Sequence, residues 1–509
     1  MAEAQTTFTV QNNFNNSNAQ YTDYFGNYYQ DNQVWLYFEN TGGGVTYTAT
    51  GGGGTQTITD SVAVQLSQIQ GGTFNLATNQ NSTKIYAGLG TTNPFSGSNG
   101  PGIFDTYVPY AVAEWTVLGN VNDNLDVSYL DSISYPTKMT VTGTNPSTTK
   151  FPAGTTANSI VNALKAKMPN AGPVGPATNM PTQGQVGYGP EIATVDGQAN
   201  AVRWIGSSKY WFSAANASNQ TSVYTYAPSY NDYLGFLKAN APTNTETGIT
   251  GWYLDYSGNG GYSGYLTVTG SDGAYGLEIH DVRINTNPSA ANDWEADPTA
   301  GTSLDGTITI TANGATVVGE VGGVETNVTG NFTDILIYSG ADILDPTGNF
   351  TDGPVVTTTG SLANSQYIAT LIATVSSSMG TGLLGSDFYL DALNDPTTPQ
   401  GLMYWFAEIT REQMLENLFS EATFNNISGL EYYDPYWGVL AELSGLEGYL
   451  SPFSDRYSQV SPDVSFGVGY SAVWELGVPV PEPGTVSLLM VSLLGGSFFM
   501  RRGRRVANA

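Results

Sequence analysis

Tyr110-Ala111-Val112-Ala113-Glu114-Trp115-Thr116-Val117-Leu118, then Gly119-Asn120-Val121-Asn122-Asp123-Asn124, then Leu125-Asp126-Val127-Ser128-Tyr129-Leu130-Asp131, is the stretch that decides how this chain reads. Its outer segments carry the β-branched and aromatic residues that fit a pleated, half-buried strand. The middle segment is rich in Gly, Asn and Asp, which favour turns. A β-hairpin is therefore expected. If Leu118 closes opposite Leu125, Glu114 faces Tyr129 and Asp131 lies one step along the same face. Such diagonal neighbours stand about 7–8 Å apart. A slip of one residue would send the two carboxylates to opposite faces.

Outward from this hairpin the text keeps reading as strands. Val34-Trp35-Leu36-Tyr37-Phe38 precedes a Gly-rich turn, 45–50 alternates, and short strands fit 83–88 and 138–143. A helix is expected from Asn158 or Ser159 to Lys167, with Ile160, Val161, Ala163, Leu164 and Met168 as its apolar stripe and Pro169 as its stop. Another fits 230–238. Strands return at 252–254, 265–268, 306–311 and 335–338, and helical spacing at 362–378, 402–419 and about 435–444. Residues 1–30 are rich in Asn, Gln and Tyr and are expected to be loosely ordered.

Composition narrows the function. The chain of 509 residues has 43 Asp and Glu against 15 Lys and Arg, a formal net charge of −28. Such a surface repels polyphosphate, so nucleic-acid binding is excluded as a working idea. There is no Cys, which removes disulfides, thiol catalysis and Cys-ligated zinc. His280 is the only histidine, leaving no His-cluster metal site. No cofactor is expected, and acid–base chemistry falls to carboxylates. The 61 Gly and 32 Tyr, with little Lys or Arg, match the usage of an exported, mainly β protein.

The C-terminal segment has three parts. Pro481-Glu482-Pro483-Gly484 leads into an apolar run over 485–500, and Arg501, Arg502, Arg504 and Arg505 follow. Such a run is slightly short for a bilayer crossing, and the arginines would hold its end on the cytoplasmic side. A buried helix is the plainer alternative, but core helices seldom end in four arginines. The pattern resembles the PEP-CTERM sorting tail of Gram-negative, biofilm-forming bacteria. That resemblance implies recognition and removal by an exosortase, a transient membrane contact, and a secreted, cell-surface or matrix location. Met1-Ala2-Glu3-Ala4 has neither the basic nor the apolar region of an export leader, so a trimmed leader or a different native start is expected.

A second resemblance concerns the body. Lys84-Ile85-Tyr86-Ala87-Gly88-Leu89-Gly90, Glu114-Trp115-Thr116, Asp131-Ser132-Ile133-Ser134-Tyr135-Pro136, Tyr436-Trp437-Gly438-Val439-Leu440 and the run 448–455 occur in this order. Together they resemble the bacterial laminaripentaose-producing β-1,3-glucanases of the thaumatin-like fold, across roughly 33–477. The resemblance implies a mainly β chain: a thaumatin-like β-sandwich or barrel domain, a second mixed α/β domain, and a groove between them. On this reading 31–200 opens the β domain, 201–250 opens the mixed domain, 251–345 is a β-rich segment or insertion, 346–477 holds the mixed domain and closing strands, and 478–509 is the tail. It further implies inverting cleavage of β-1,3-glucan, with Glu114 as general acid and Asp131 as general base. Inverting glycosidases hold these carboxyls about 6.5–9.5 Å apart to admit a water. Glu114 would need a raised pKa and Asp131 an ordinary one. Thr116 matches a position associated with sugar contact, and Trp115 is its aromatic neighbour. Leu118 departs from the polar residue expected there, and no aromatic follows Asp131.

Tyr224 and Tyr226, with Trp204, Tyr210, Trp211, Tyr230 and Tyr233, could stack on sugar rings, although packing is the commoner use of such residues. His280 beside Asp281 reads as a structural hydrogen-bonding pair, because a triad needs further partners. Asp255, Asp272 and Asp281 lack the spacing of a calcium loop. Two functions stay open: a secreted β-1,3-glucan hydrolase, and a non-catalytic matrix or carbohydrate-binding protein on the same scaffold. PEP-CTERM tails also occur on matrix proteins, and a fold alone does not fix function.

Overall fold

The computed structural model describes residues 6–15, 23, 26–95, 109–121, 123–129, 132–152, 154–167, 189–195, 198–205, 230–243, 248–256, 262–271, 274–284, 302–303, 308–310, 316–321, 324–329, 356–358, 375, 378–380, 382, 384–385, 435–448, 450 and 464–477. Its first twelve strands are β1 (Thr6–Asn12), β2 (Val34–Glu39), β3 (Val45–Ala49), β4 (Thr55–Thr57), β5 (Val64–Gln65), β6 (Ile69–Leu76), β7 (Gln80–Leu89), β8 (Tyr110–Val117), β9 (Asn124–Ser128), β10 (Ser132–Ile133), β11 (Thr137–Thr142) and β12 (Ser147–Lys150). Then come β13 (Gly189–Val195), β14 (Gln198–Ile205), β15 (Trp252–Tyr256), β16 (Tyr262–Ser271) and β17 (Ala274–Ile284). The last are β18 (Thr302–Ser303), β19 (Ile308–Ile310), β20 (Thr316–Val321), β21 (Val324–Thr329), β22 (Val356–Thr358), β23 (Val464–Ser465) and β24 (Ser471–Leu476). The helices used below are α1 (Ala157–Lys167), α2 (Asn231–Ala239) and α3 (Pro435–Ser444). The fold is mainly β.

Two sheets face one another. The first runs β12-β11-β24-β1-β6-β3-β4 and the second β23-β9-β8-β7-β2-β5. Period-two alternation places the core between them. Phe8 of the first sheet lies 4.9 Å, centroid to centroid, from Trp115 of the second, and Phe38 of the second lies 5.1 Å from Phe74 of the first. Aromatic pairs like these add about 0.5–1.5 kcal/mol each beyond their area burial.

Both ends of the described chain enter this sandwich. β1 pairs in parallel with β24, from Thr7 opposite Ser471 to Asn12 opposite Leu476. Residues 6–12, expected to be loosely ordered, are thus an interior strand. Thr6, Phe8 and Val10 all point inward, and their burial outweighs the polar residues between them. The closing strands join the sandwich: β23 pairs with β9 and β24 lies between β11 and β1. Lys138 on β11 forms an ion pair with Glu475, its cross-strand partner on β24.

Helix α1 starts where local chemistry dictates. Ser159 N–H donates to Thr156 Oγ1 at 3.1 Å and Thr156 N–H donates to Ser159 Oγ at 2.8 Å. This reciprocal cap satisfies two donors that a helix start leaves open. Lys165 and Lys167 in the last turn suit the negative end of the helix dipole. Ile160, Val161 and Leu164 form the buried stripe. α1 packs against α3, and Tyr436 of α3 donates its hydroxyl to the Tyr129 carbonyl just beyond β9.

A separate antiparallel sheet, β15-β16-β17-β19-β22, carries α2 on one face. Trp252 Nε1 donates to the Leu237 carbonyl at 2.9 Å, and the Tyr233 hydroxyl donates to the Leu384 carbonyl. On β17, His280 Nδ1 lies 2.7 Å from Asp281 Oδ2 and its ring stacks on Tyr265. The expected strand over 335–338 and the helix over 402–419 lie outside the described residues. So does the 485–500 run; among the described residues no helix is long and apolar enough to cross a membrane.

Candidate functional site

Strand β8 sorts its side chains by alternation. Ala113, Trp115 and Val117 are buried toward the first sheet, while Val112, Glu114 and Thr116 point outward and are half-buried. Glu114 therefore reaches the outer face of the second sheet because Trp115 is claimed by the core. On that face Glu114 stands directly opposite Lys84 of β7 and Asp126 of β9. Lys84 stands in turn opposite Glu39 of β2. The result is one cross-strand row, Glu39–Lys84–Glu114–Asp126, in which Lys84 Nζ lies 3.7 Å from Glu114 Oε2.

This register corrects the expected one. Glu114 pairs with Asp126 and not with Tyr129, and Trp115 faces Leu125. The shift is three residues, an odd number, so Tyr129 falls on the inward side with Leu125 and Val127. The cause is Asp123. Its carboxylate accepts hydrogen bonds from Leu118 N–H and Gly119 N–H, both at 2.8 Å. That draws Leu118 and Gly119 into the turn and out of the ladder. Gly119 adopts φ +78°, which a residue with a Cβ resists.

Two residues along the strands from the carboxylate row, the face turns aromatic. Tyr86 of β7, opposite Val112 of β8 and Tyr37 of β2, is half-buried and donates its hydroxyl to Glu39 Oε2 at 3.1 Å. Tyr37, Phe95 and Tyr110 form a buried cluster, with Trp35 and Tyr86 packed partly exposed at its margin. Trp35 Nε1 donates to the Gly90 carbonyl at 3.1 Å. A Cβ on Gly88 would come within 2.6 Å of the Phe95 ring, so Gly88 is the gap into which that ring drops. Carboxylates and partly exposed rings thus share one side of the sheet.

The other sequence candidates fare differently. Thr116 lies on the same face, and its Oγ1 accepts from Ser82 N–H at 3.2 Å. Trp115 does not: it is fully buried between Phe8 and Phe38, where no sugar ring can reach it. Asp131, Tyr224 and Tyr226 lie outside the described residues. Trp204, Tyr230 and Tyr233 are buried, in keeping with packing. Among the described residues no three His, Cys, Asp or Glu side chains gather as a metal site would require. Lys84, Asp126, Glu39 and Tyr86 escaped the sequence reading. Alternation along 80–89 and 124–128 carried the signal, but joining them to Glu114 needed the register.

Site and scaffold together define a mainly β protein with an acidic, aromatic-flanked face on one sheet of a sandwich. No family model and no curated protein matches the chain. Among solved structures it is similar to a β-1,3-glucanase domain (GH64) from Clostridium beijerinckii, at 12% identity and TM-score 0.43, covering 93% of this chain and 98% of that one. It is similar also to a laminaripentaose-producing β-1,3-glucanase in complex with laminaritetraose, at 13% identity and TM-score 0.42, covering 93% and 99%. The GH family 64 laminaripentaose-producing enzyme from Paenibacillus barengoltzii matches over 32% of this chain and 43% of its own, at TM-score 0.21.

Proposed function

We propose that the protein is a secreted glycoside hydrolase that cleaves β-1,3-glucan with inversion, using Glu114 as general acid and Asp131 as general base. The observation that carries this reading is the place of Glu114: half-exposed, outward on β8, in a row of carboxylates and next to partly exposed aromatic rings. The order of Glu114-Trp115-Thr116 and Asp131 to Pro136 in the sequence supports it.

In the reaction Glu114 enters carrying a proton and gives it to the glycosidic oxygen as the bond to the anomeric carbon breaks. Asp131 takes a proton from a water that attacks that carbon from the opposite side. The leaving chain departs as an alcohol, the new hydroxyl is α, and exchange with solvent returns a proton to Glu114 and removes the one gained by Asp131. Trp35 and Tyr86 offer flat apolar surface to the faces of glucose units beside the scissile bond. Export and a matrix or cell-surface destination follow from the C-terminal segment if an exosortase reads Pro481-Glu482-Pro483.

The test is the anomer released first from laminarin, followed by proton NMR. Inversion yields the α-anomer before mutarotation, whereas a first-formed β-anomer contradicts the two-carboxylate inverting scheme. A second reading, a non-catalytic carbohydrate-binding matrix protein, is favoured by the same exposed rings, which can hold sugar without chemistry. It gains if wild type and Glu114→Gln bind glucan equally and neither turns it over.

A further inference from the structure

We propose that the free edge of β4 is a self-association site, where two copies of this chain pair antiparallel about a two-fold axis at Gln56. The inference does not depend on the hydrolase reading. β4 closes the first sheet beyond β3, and among the described residues it pairs with no other strand. All three of its residues are exposed. The ladder with β3 shows which backbone groups are left over. Ala49 N–H donates to the Gly54 carbonyl and Ile58 N–H to the Val45 carbonyl, both at 2.9 Å. Hydrogen-bonded and open pairs alternate along an antiparallel ladder. Tyr47 and Gln56 are therefore a bonded pair, while Thr46–Thr57 and Thr48–Thr55 are open ones. The N–H and C=O groups of Thr55 and Thr57 point away from β3, to the free edge. Such a row is a template for another strand.

The other edges of the sandwich are guarded. At the far end of the first sheet, β12 carries Lys150 opposite Lys138, and the Lys150 N–H donates to the Glu447 carboxylate. In the second sheet β5 and β23 have two residues each, and the Gln65 N–H of β5 is taken by Gln68 Oε1 at 3.1 Å. β4 has neither lysine nor proline, and residues 40–59 carry no charge. Chains of net charge −28 repel one another, and along this edge they can meet without like charges opposed. A second copy also fits by symmetry. With Gln56 opposite its own copy, each Thr55 faces a Thr57, and all four outward N–H groups of the pair find a carbonyl. A slip of two residues keeps only half of these bonds. Threonines facing one another are favourable cross-strand pairs. The two seven-stranded sheets become continuous, and because each chain uses its one open edge, assembly stops at two.

The experiment is sedimentation velocity of the full chain over a concentration series, as wild type, Gln56→Glu and Thr57→Pro, with near-UV circular dichroism as the check on folding. A three-residue pairing falls well short of the roughly 1,200–2,000 Å² that stable interfaces bury, so wild type is expected to pass from monomer to dimer near about 100 μM. Gln56→Glu sets two carboxylates against each other where facing side chains come closest. It is expected to weaken the dimer about tenfold or more at low salt, and about 0.5 M NaCl should recover most of the loss. Thr57→Pro removes an N–H that β3 does not use, and is expected to weaken the dimer about tenfold at either salt level. A wild type still monomeric at about 500 μM overturns the proposal. So does association that both variants keep, which would place the contact on another surface, and so does growth beyond two copies. If Thr57→Pro misfolds, Gln56→Glu at the two salt levels decides alone. None of these outcomes bears on laminarin hydrolysis, so the two readings fall separately.

Discussion

Glu114 on β8 and Asp126 on β9 are direct cross-strand partners on the outer face of the second sheet. Like charges set opposite one another work against the ladder that holds them, at about 0.2–1 kcal/mol. Glu114→Gln removes one charge of the pair and also the ion pair with Lys84, two small effects of opposite sign. Its folding free energy is expected to stay within about 0.5 kcal/mol of wild type, while laminarin hydrolysis falls about 10²–10⁴-fold. Urea titration and initial rates measured on one preparation check both halves.

Trp115, the next residue, answers to the core. Trp115→Ala empties a fully buried site between the sheets and is expected to cost about 3–5 kcal/mol. The loss should show as a lower urea midpoint. A variant with full stability but weakened glucan binding would return Trp115 to the sugar site.

Asp123 sets the register that brings Glu114 to Asp126. Replacing it by Ala leaves Leu118 N–H and Gly119 N–H without their charged acceptor, at an expected cost of about 1.5–3 kcal/mol. Because the turn feeds β8, activity should fall as well, and Asp123→Asn should retain part of both. Equal stability of Asp123→Ala and wild type would contradict this account of the turn.

Tyr129 makes the fold sensitive to alkali. Complete burial pushes its hydroxyl well above the ordinary tyrosine range, and Tyr29 is raised in the same direction by burial and by the nearby Asp23 carboxylate. A folded pKa above the unfolded one means stability that is fully present below about pH 10, where tyrosines of the unfolded chain titrate. Above that pH the unfolded chain loses protons first, so stability falls as pH rises. Tyr129→Phe gives up hydrogen bonds with Thr137 at 2.7 and 3.2 Å, lowering stability at pH 8 by about 0.5–1.5 kcal/mol. It should also flatten the decline between pH 10 and pH 11, as read from urea midpoints. An unchanged slope would contradict the role given to Tyr129.

Much of the scaffold was legible because its strands obey period two. Tyr110–Val117 alternates buried and half-buried residues from Ala111 onward, Val34–Glu39 opens with an unbroken apolar run, and the helix over 157–167 shows its apolar stripe. β1 was hidden by its Asn and Gln neighbours, although Phe8 and Val10 already alternate. β17 was hidden because Gly276, His280 and Asp281 interrupt its apolar text, and Asp281 bends there at φ +50°. Glu114 could be picked out as a polar residue between inward-facing neighbours. Its companions could not. Asp126, Lys84 and Glu39 join it through pairings fixed by the Asp123 turn and by β7, and local sequence does not encode pairing between strands.

The most direct measurement is the release of reducing ends from laminarin by wild type, Glu114→Gln and Asp131→Asn, each shown to be folded. The account predicts steady release by the first and a loss of at least about 10²-fold in both variants. Equal release by all three, or none from wild type while it still binds the glucan, would contradict it.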